Sequence, residues 1–180
     1  NNPVLEGAYI RFLTVEDAAG AKAYRRGLSL LMLSALRALY GDDERYEVTI
    51  HYVVSDGLYC TMRDSSLPDQ AFLTELDAKM VEMVSDAKPI IKHNIRTDEA
   101  RKLFHERHMY DKEQLFRYRM SSRTNVYELD GYIDYFYGYM VHDASQLSLF
   151  ELQLYDDGFV LRYPSARRAD TLSEFAPDEK

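Results

Sequence analysis

Two Asp-Gly dipeptides, Asp56-Gly57 and Asp157-Gly158, each stand between a pair of β-rich runs, and this punctuation limits the fold more than any other feature of the chain. Asp-Gly between such runs is a strong hairpin signal, because both residues tolerate the positive φ of a two-residue turn. Glu47 to Val54 and Leu58 to Met62 are therefore expected to form one hairpin, and Leu147 to Leu154 with Phe159 to Tyr163 another. Antiparallel pairing is thus written into the chain at two places.

Helical periodicity fills much of the remainder. After Gly20 the apolar positions Tyr24, Leu28, Leu31, Met32, Ala35 and Leu39 recur at helical spacing, which predicts a long core helix ending at Gly41. Ser66-Leu67-Pro68-Asp69 supplies a cap for a helix with Phe72, Leu76, Met80 and Val84 on one stripe, and Pro89 follows its end. Ile90 to Ile95 reads as a short strand; Thr97 caps a helix carrying Ala100, Leu103 and Phe104, and a short helix with Leu115 and Phe116 follows Asp111. Ala8 to Val15, Val126 to Leu129 and Tyr132 to Val141 have strand composition. The mixture predicts an α+β fold, an antiparallel sheet with helices on one face.

A 46% hydrophobic and 13% aromatic chain of 180 residues has the makings of a buried core. Lys+Arg of 22 against Asp+Glu of 30 leaves a net charge of -8, which repels polyphosphate unless a basic patch compensates locally, so nucleic acid is not the expected partner. The single Cys60 excludes an internal disulfide and any all-Cys metal cage. The longest apolar stretch, Leu28 to Leu33, is far short of the ~20 residues that span a bilayer, so no membrane is expected and the predicted location is cytoplasmic.

Several chemistries have no residues to carry them. There is no Gly-rich loop ending in Gly-Lys-Ser/Thr and no dinucleotide fingerprint, so this segment has no P-loop for ATP. His51, His93, His105, His108 and His142 form no recognised ligand pattern; His105 and His108 sit three apart on a predicted helix and read as a solvated surface. Asp42-Asp43 and Asp156-Asp157 belong to turns. On a pleated strand, Tyr135, Tyr137 and Tyr139 would share one face with Ile133, while Tyr132, Phe136 and Met140 share the other. Such a ladder packs a sheet or stacks on a base.

With the elements in place, the order of motifs resembles the editing domain of threonyl-tRNA synthetases. Tyr24-Arg25-Arg26-Gly27-Leu28-Ser29-Leu30-Leu31, followed by Ala38-Leu39-Tyr40, is similar to the helix that carries HxxxH in that family. The run Val54-Ser55-Asp56-Gly57-Leu58-Tyr59 resembles its hairpin turn, Glu99-Ala100-Arg101-Lys102-Leu103-Phe104 matches its E-A-x-x-x-F, and Tyr132-Ile133-Asp134 stands just before its CxxxH segment. The resemblance covers roughly Val15 to Tyr163 and implies the threonyl/alanyl-tRNA synthetase common-domain architecture.

In the family, HxxxH and CxxxH build a metal pocket that hydrolyses mischarged tRNA. The matching positions here are Arg26, Leu30, Phe136 and Met140. Arg is never deprotonated, Leu and Phe have no lone pair, and Met is too soft for a hydrolytic zinc. No shift of register repairs this, since no His precedes His51 and no Cys follows Cys60. The expectation is no catalytic residue and no metal, with a vestigial pocket of Arg26, Leu30, His51, Phe136, Tyr137 and Met140.

The Tyr132 to Gly138 run and the Asp157 to Pro164 ending are also similar to the N-terminal half of bacterial uridine or nucleoside kinases. That resemblance implies residues 1–15 as the end of a TGS-like domain, 16–165 as the editing-like domain, and 166–180 as a linker to a kinase domain beyond Lys180. ATP and Mg²⁺ would then be cofactors of the parent chain only. The partners it implies are that kinase domain in cis and a nucleoside or nucleotide ligand. The alternative is a metal-independent aminoacyl-tRNA deacylase or tRNA-binding domain using Arg26, His51 or His142.

Overall fold

A computed structural model describes residue 7, residues 9–63 and residues 67–176. The helical stripe becomes α1, Ala18–Tyr40, closed by Gly41, whose N–H donates to the Arg37 carbonyl. Leu28, Leu30, Leu31, Met32 and Ala35 are each 0% exposed, so the middle of α1 is buried on more than one side and forms the axis of the molecule. Next come β1 (Val48–Val54), β2 (Gly57–Met62), α2 (Gln70–Ser85) and β3 (Ile90–Arg96). They are followed by α3 (Thr97–Glu106), α4 (Tyr110–Arg117), β4 (Arg123–Leu129), β5 (Tyr132–Tyr135), β6 (Glu151–Tyr155) and β7 (Gly158–Arg162).

The class is α+β with antiparallel pairing throughout, but the strands divide into two sheets rather than one. A four-stranded sheet in the order β1-β2-β7-β6 joins the two hairpins, and a three-stranded sheet runs β3-β4-β5. On the first, α1 and α2 cover one face, burying Leu58, Cys60, Phe159 and Leu161 against Leu73, Leu76 and Met80. On the second, α1 packs over one face at Tyr127 and Leu129, while α3 and α4 cover the other with Ala100, Phe104 and Phe116. Ser34 Oγ donates to the Leu129 carbonyl at 2.7 Å, tying the axis helix to β4.

Both predicted hairpins form, and their glycines serve a purpose the turn rule does not give. The left-handed position of the first turn is Ser55 (φ 51°) and that of the second is Asp156 (φ 51°). Gly57 instead opens the return strand, where a Cβ would run into Val160 of the neighbouring strand.

Four expectations are corrected. Of the strand expected over Ala8 to Val15, residue 8 lies outside the described residues. The rest forms no strand: Tyr9, Ile10, Phe12 and Leu13 are exposed, and no described strand pairs with them. Thr97 is the first helical residue of α3 rather than its cap; its hydroxyl donates to the Ser121 carbonyl, and the Arg96 N–H donates to the Glu99 carboxylate. The strand predicted from Tyr132 to Val141 stops at Tyr135, because Gly138 (φ 115°) turns the chain and the Tyr127 hydroxyl donates to its carbonyl. The strand predicted from Leu147 begins only at Glu151, after a 3-10 turn over Ala144–Leu147.

Of the terminal segments, residues 1–6 and 177–180 lie outside the described residues, and so does Ser66 of the predicted α2 cap; Asp69 provides that cap by accepting from the Phe72 N–H at 2.8 Å. Residues beyond β7 return to the outer face of the four-stranded sheet. There Arg162 donates to the Ser173 carbonyl, Ser173 Oγ donates to Asp56 at 2.8 Å, and the Phe175 ring lies 5.5 Å from that of Tyr155. Among the described residues no helix is long and apolar enough to cross a membrane.

Candidate functional site

The predicted pocket residues divide between the core and the surface. Arg26 and Leu30 are one helical turn apart on α1 and so share a face. The Arg26 guanidinium reaches the 136–141 segment, donating to the Tyr139 carbonyl at 3.2 Å and lying against the Cα of Gly138. Leu30 is 0% exposed, and Phe136 and Met140 pack on the same apolar cluster. The structure therefore brings α1 and the 136–140 segment together, as the motif order implied.

These four side chains do not fit a divalent metal. A permanently protonated guanidinium takes up the room against Gly138, and none of the four offers a hard donor. Among the described residues no three His, Cys, Asp or Glu side chains converge.

The other two members lie elsewhere. Tyr137 is 79% exposed and points away from the core, so the expected face shared by Tyr135, Tyr137 and Tyr139 ends with β5. Its first half stands: Ile133 and Tyr135 meet the α3–α4 cluster, while Tyr132, Phe136 and Met140 meet the main core. His51 is exposed on the four-stranded sheet, 2.8 Å from Thr61 Oγ1 and with its ring 5.6 Å from that of Tyr59. It does not join Arg26. His142 is exposed as well, and its carbonyl accepts from the Ile90 N–H at 3.0 Å. His105 contacts Glu113 at 2.8 Å, whereas His108 lies past the end of α3 with φ 59° and contacts the Tyr110 hydroxyl.

A buried ionic contact beside this region was missed at the sequence level. Asp134 on β5 is 1% exposed; Lys112 of α4 donates to it at 2.5 Å and the Tyr132 hydroxyl at 3.3 Å. Burial raises the Asp134 pKa, and the Lys112 ammonium opposes that shift without overcoming it. Burial, and then Asp134 itself, raise the Tyr132 hydroxyl well above its usual range. The signal that could have found the pair is a lone acid in the apolar alternation Tyr132-Ile133-Asp134-Tyr135.

A cleft of about 280 Å³ opens next to Tyr132, floored by Leu33, Leu36 and Val48 and rimmed by Arg37, Arg107 and His108. Arg37 is already engaged with Asp42, and Arg107 donates to the Gly131 carbonyl at 3.3 Å.

No family model matches the chain. It is 27% identical over 154 residues to the threonine–tRNA ligase of Syntrophotalea carbinolica, a stretch that covers 83% of this chain and 23% of that protein. It is 25% identical over 143 residues to the threonine–tRNA ligase of Francisella tularensis subsp. holarctica, covering 79% of this chain and 22% of that protein. The chain thus spans less than a quarter of the length of these curated relatives. Likeness of this extent over most of the chain supports a domain of threonyl-tRNA synthetase type.

Proposed function

We propose that the chain is a non-catalytic accessory domain of threonyl-tRNA synthetase type, a binding or regulatory module within a longer cytoplasmic protein. The observation that carries this reading is the contact of Arg26 with Gly138 and Tyr139 above a fully buried Leu30. An activated water needs a metal or a base beside the scissile ester. Here the two facing segments contribute a guanidinium and apolar packing instead.

The test is incubation of the purified protein with mischarged tRNA. We expect release of the amino acid at the rate of buffer alone. Hydrolysis above that rate, lost in Arg26→Ala or Asp134→Asn, would favour the alternative of a metal-independent deacylase, which the similarity to threonine–tRNA ligases also supports.

For the parent protein, we propose an ATP-dependent uridine or nucleoside kinase, with the P-loop domain in cis holding ATP and Mg²⁺. The support is the resemblance carried by Tyr132 to Gly138 and by Asp157 to Pro164. Reading the gene past Lys180 decides it: a Gly-Lys-Ser/Thr loop between a strand and a helix is expected, and its absence overturns the kinase assignment.

A further inference from the structure

We infer that the open half of the β3–β4 surface is a nucleotide site, with a base stacked on Tyr139 and a phosphate held by Lys92, Arg26 and Arg123. The inference deepens the reading of the domain as a binding module. It uses the solvent side of Arg26 and Tyr139, whose packed side carries that reading.

Alternation along the strands sets up the surface. Register pairs Lys92 with Tyr127, Asn94 with Asn125 and Arg96 with Arg123, which puts all six on the face that α1 covers. The helix reaches only part of it. Tyr127 is 3% exposed beneath α1, whereas Lys92, Asn94 and Arg123 are exposed. The 136–141 segment borders the open part, with the Lys92 ammonium 5.2 Å from the centroid of the Tyr139 ring.

Charge is the second feature of this surface. Arg37, Arg45 and Arg63 each pair with a carboxylate, and so does Arg96, with Asp98, at the far end of this face. Among the described residues no ion pair engages Arg26, Lys92 or Arg123. Arg26 donates to a carbonyl, and Arg123 donates to the side chain and carbonyl of Asn94. In a chain of net charge -8, three cations with no carboxylate of their own, beside a neutralised Arg96–Asp98 pair, form a local positive site, the condition under which an anionic ligand overcomes the overall repulsion.

The same place presents flat apolar surface. Tyr139 is 79% exposed, and an exposed ring next to a cation stacks any base without regard to its identity. Asn94 Nδ2 donates to Asn125 Oδ1 at 2.8 Å and Asn94 Oδ1 accepts from Arg123, so the pair has amide N–H donors left for a base edge. Arg123 is drawn back beside Asn94, whose Cα lies two strand residues, roughly 7 Å, from that of Lys92 on the same face.

The chemistry fits a free nucleotide and the terminal nucleotide of a single strand alike, so the experiment separates them. The protein is titrated with uridine 5′-monophosphate, with uridine and with an eight-nucleotide oligouridylate, following tyrosine fluorescence and heat. We expect the monophosphate or the oligonucleotide to bind, uridine to bind at least about tenfold more weakly, and affinity to fall with added salt. Lys92→Glu and Tyr139→Ala should each weaken binding at least about tenfold with an unchanged thermal midpoint. Binding of the monophosphate assigns a free nucleotide, and binding confined to the oligonucleotide assigns a strand end. Absence of binding to both, or binding that survives both substitutions, overturns the inference. Such a failure leaves the non-catalytic reading intact, since tRNA hydrolysis decides that one.

Discussion

Arg26 occupies the space that a side chain on Gly138 would need. A Cβ on Gly138 would fall 2.7 Å from Arg26 Cζ, and the residue's φ of 115° is one that L side chains rarely adopt. The two residues lie on elements far apart in sequence, so their fit measures how closely α1 and the 136–141 segment are joined. Gly138→Ala should destabilise the fold by about 1–3 kcal/mol, from backbone strain and overlap together. In an Arg26→Ala background the overlap vanishes and only strain remains, so the loss should be smaller. Urea denaturation of the four proteins gives the cycle, and equal losses in both backgrounds would mean that the Arg26 guanidinium swings aside without cost.

Leu30 tests the packing below that contact. It is 0% exposed within the main cluster, so Leu30→Ala should cost about 2–5 kcal/mol, the range for large-to-small core changes. Arg26→Ala, on a half-exposed side chain whose hydrogen bond goes to a carbonyl, should cost far less. Thermal or urea unfolding of the two variants makes the comparison. A Leu30→Ala variant as stable as wild type would indicate an open pocket.

Metal content is a separate question of donor chemistry. With Arg26, Leu30, Phe136 and Met140 at the facing positions, protein purified without metal-affinity resin should carry no stoichiometric zinc. Elemental analysis checks this, and one zinc per chain would contradict the assignment of these positions.

Much of this architecture was legible because it is local. The spacing of Tyr24, Leu28, Leu31 and Ala35 gave α1 and Gly41 its end; the runs around Asp56-Gly57 and Asp157-Gly158 gave the hairpins. What failed depended on partners. Tyr9 to Val15 has strand composition but no described strand beside it, and the aromatic alternation past Tyr135 continues in sequence while Gly138 bends the backbone away from β4. Motif order brought Arg26 opposite the 136–140 segment, yet grouped His51 with it although that ring lies on the other sheet. The Lys112–Asp134 pair needs α4 folded against β5, and the Lys92–Tyr139 contact needs a loop folded beside β3. No spacing along the chain encodes either.

Asp134 makes the response to pH testable. Its carboxyl is buried, and burial raises its pKa in the folded state despite the Lys112 ammonium, the Tyr135 N–H and the Tyr132 hydroxyl, all of which pull the other way. In the unfolded chain an Asp titrates near about 3.9. A folded-state pKa above that value means the folded protein holds the proton more tightly. The contribution to stability is therefore fully present below about pH 3.9 and is lost as pH rises through the folded-state pKa. Surface acids act in the opposite sense: Asp43 and Asp98, held below their usual range by hydrogen bonds from Arg45 and Arg96, stabilise at neutral pH and lose that effect in acid. Their contribution is common to wild type and Asp134→Asn, so it cancels in the difference between the two. That difference, wild type minus variant by urea denaturation, should shift in favour of wild type as pH is lowered from about 7 to about 4.5. A shift the other way would show that the Lys112 charge outweighs burial, and that the pair is a stabilising salt bridge at neutral pH rather than an acid held out of water.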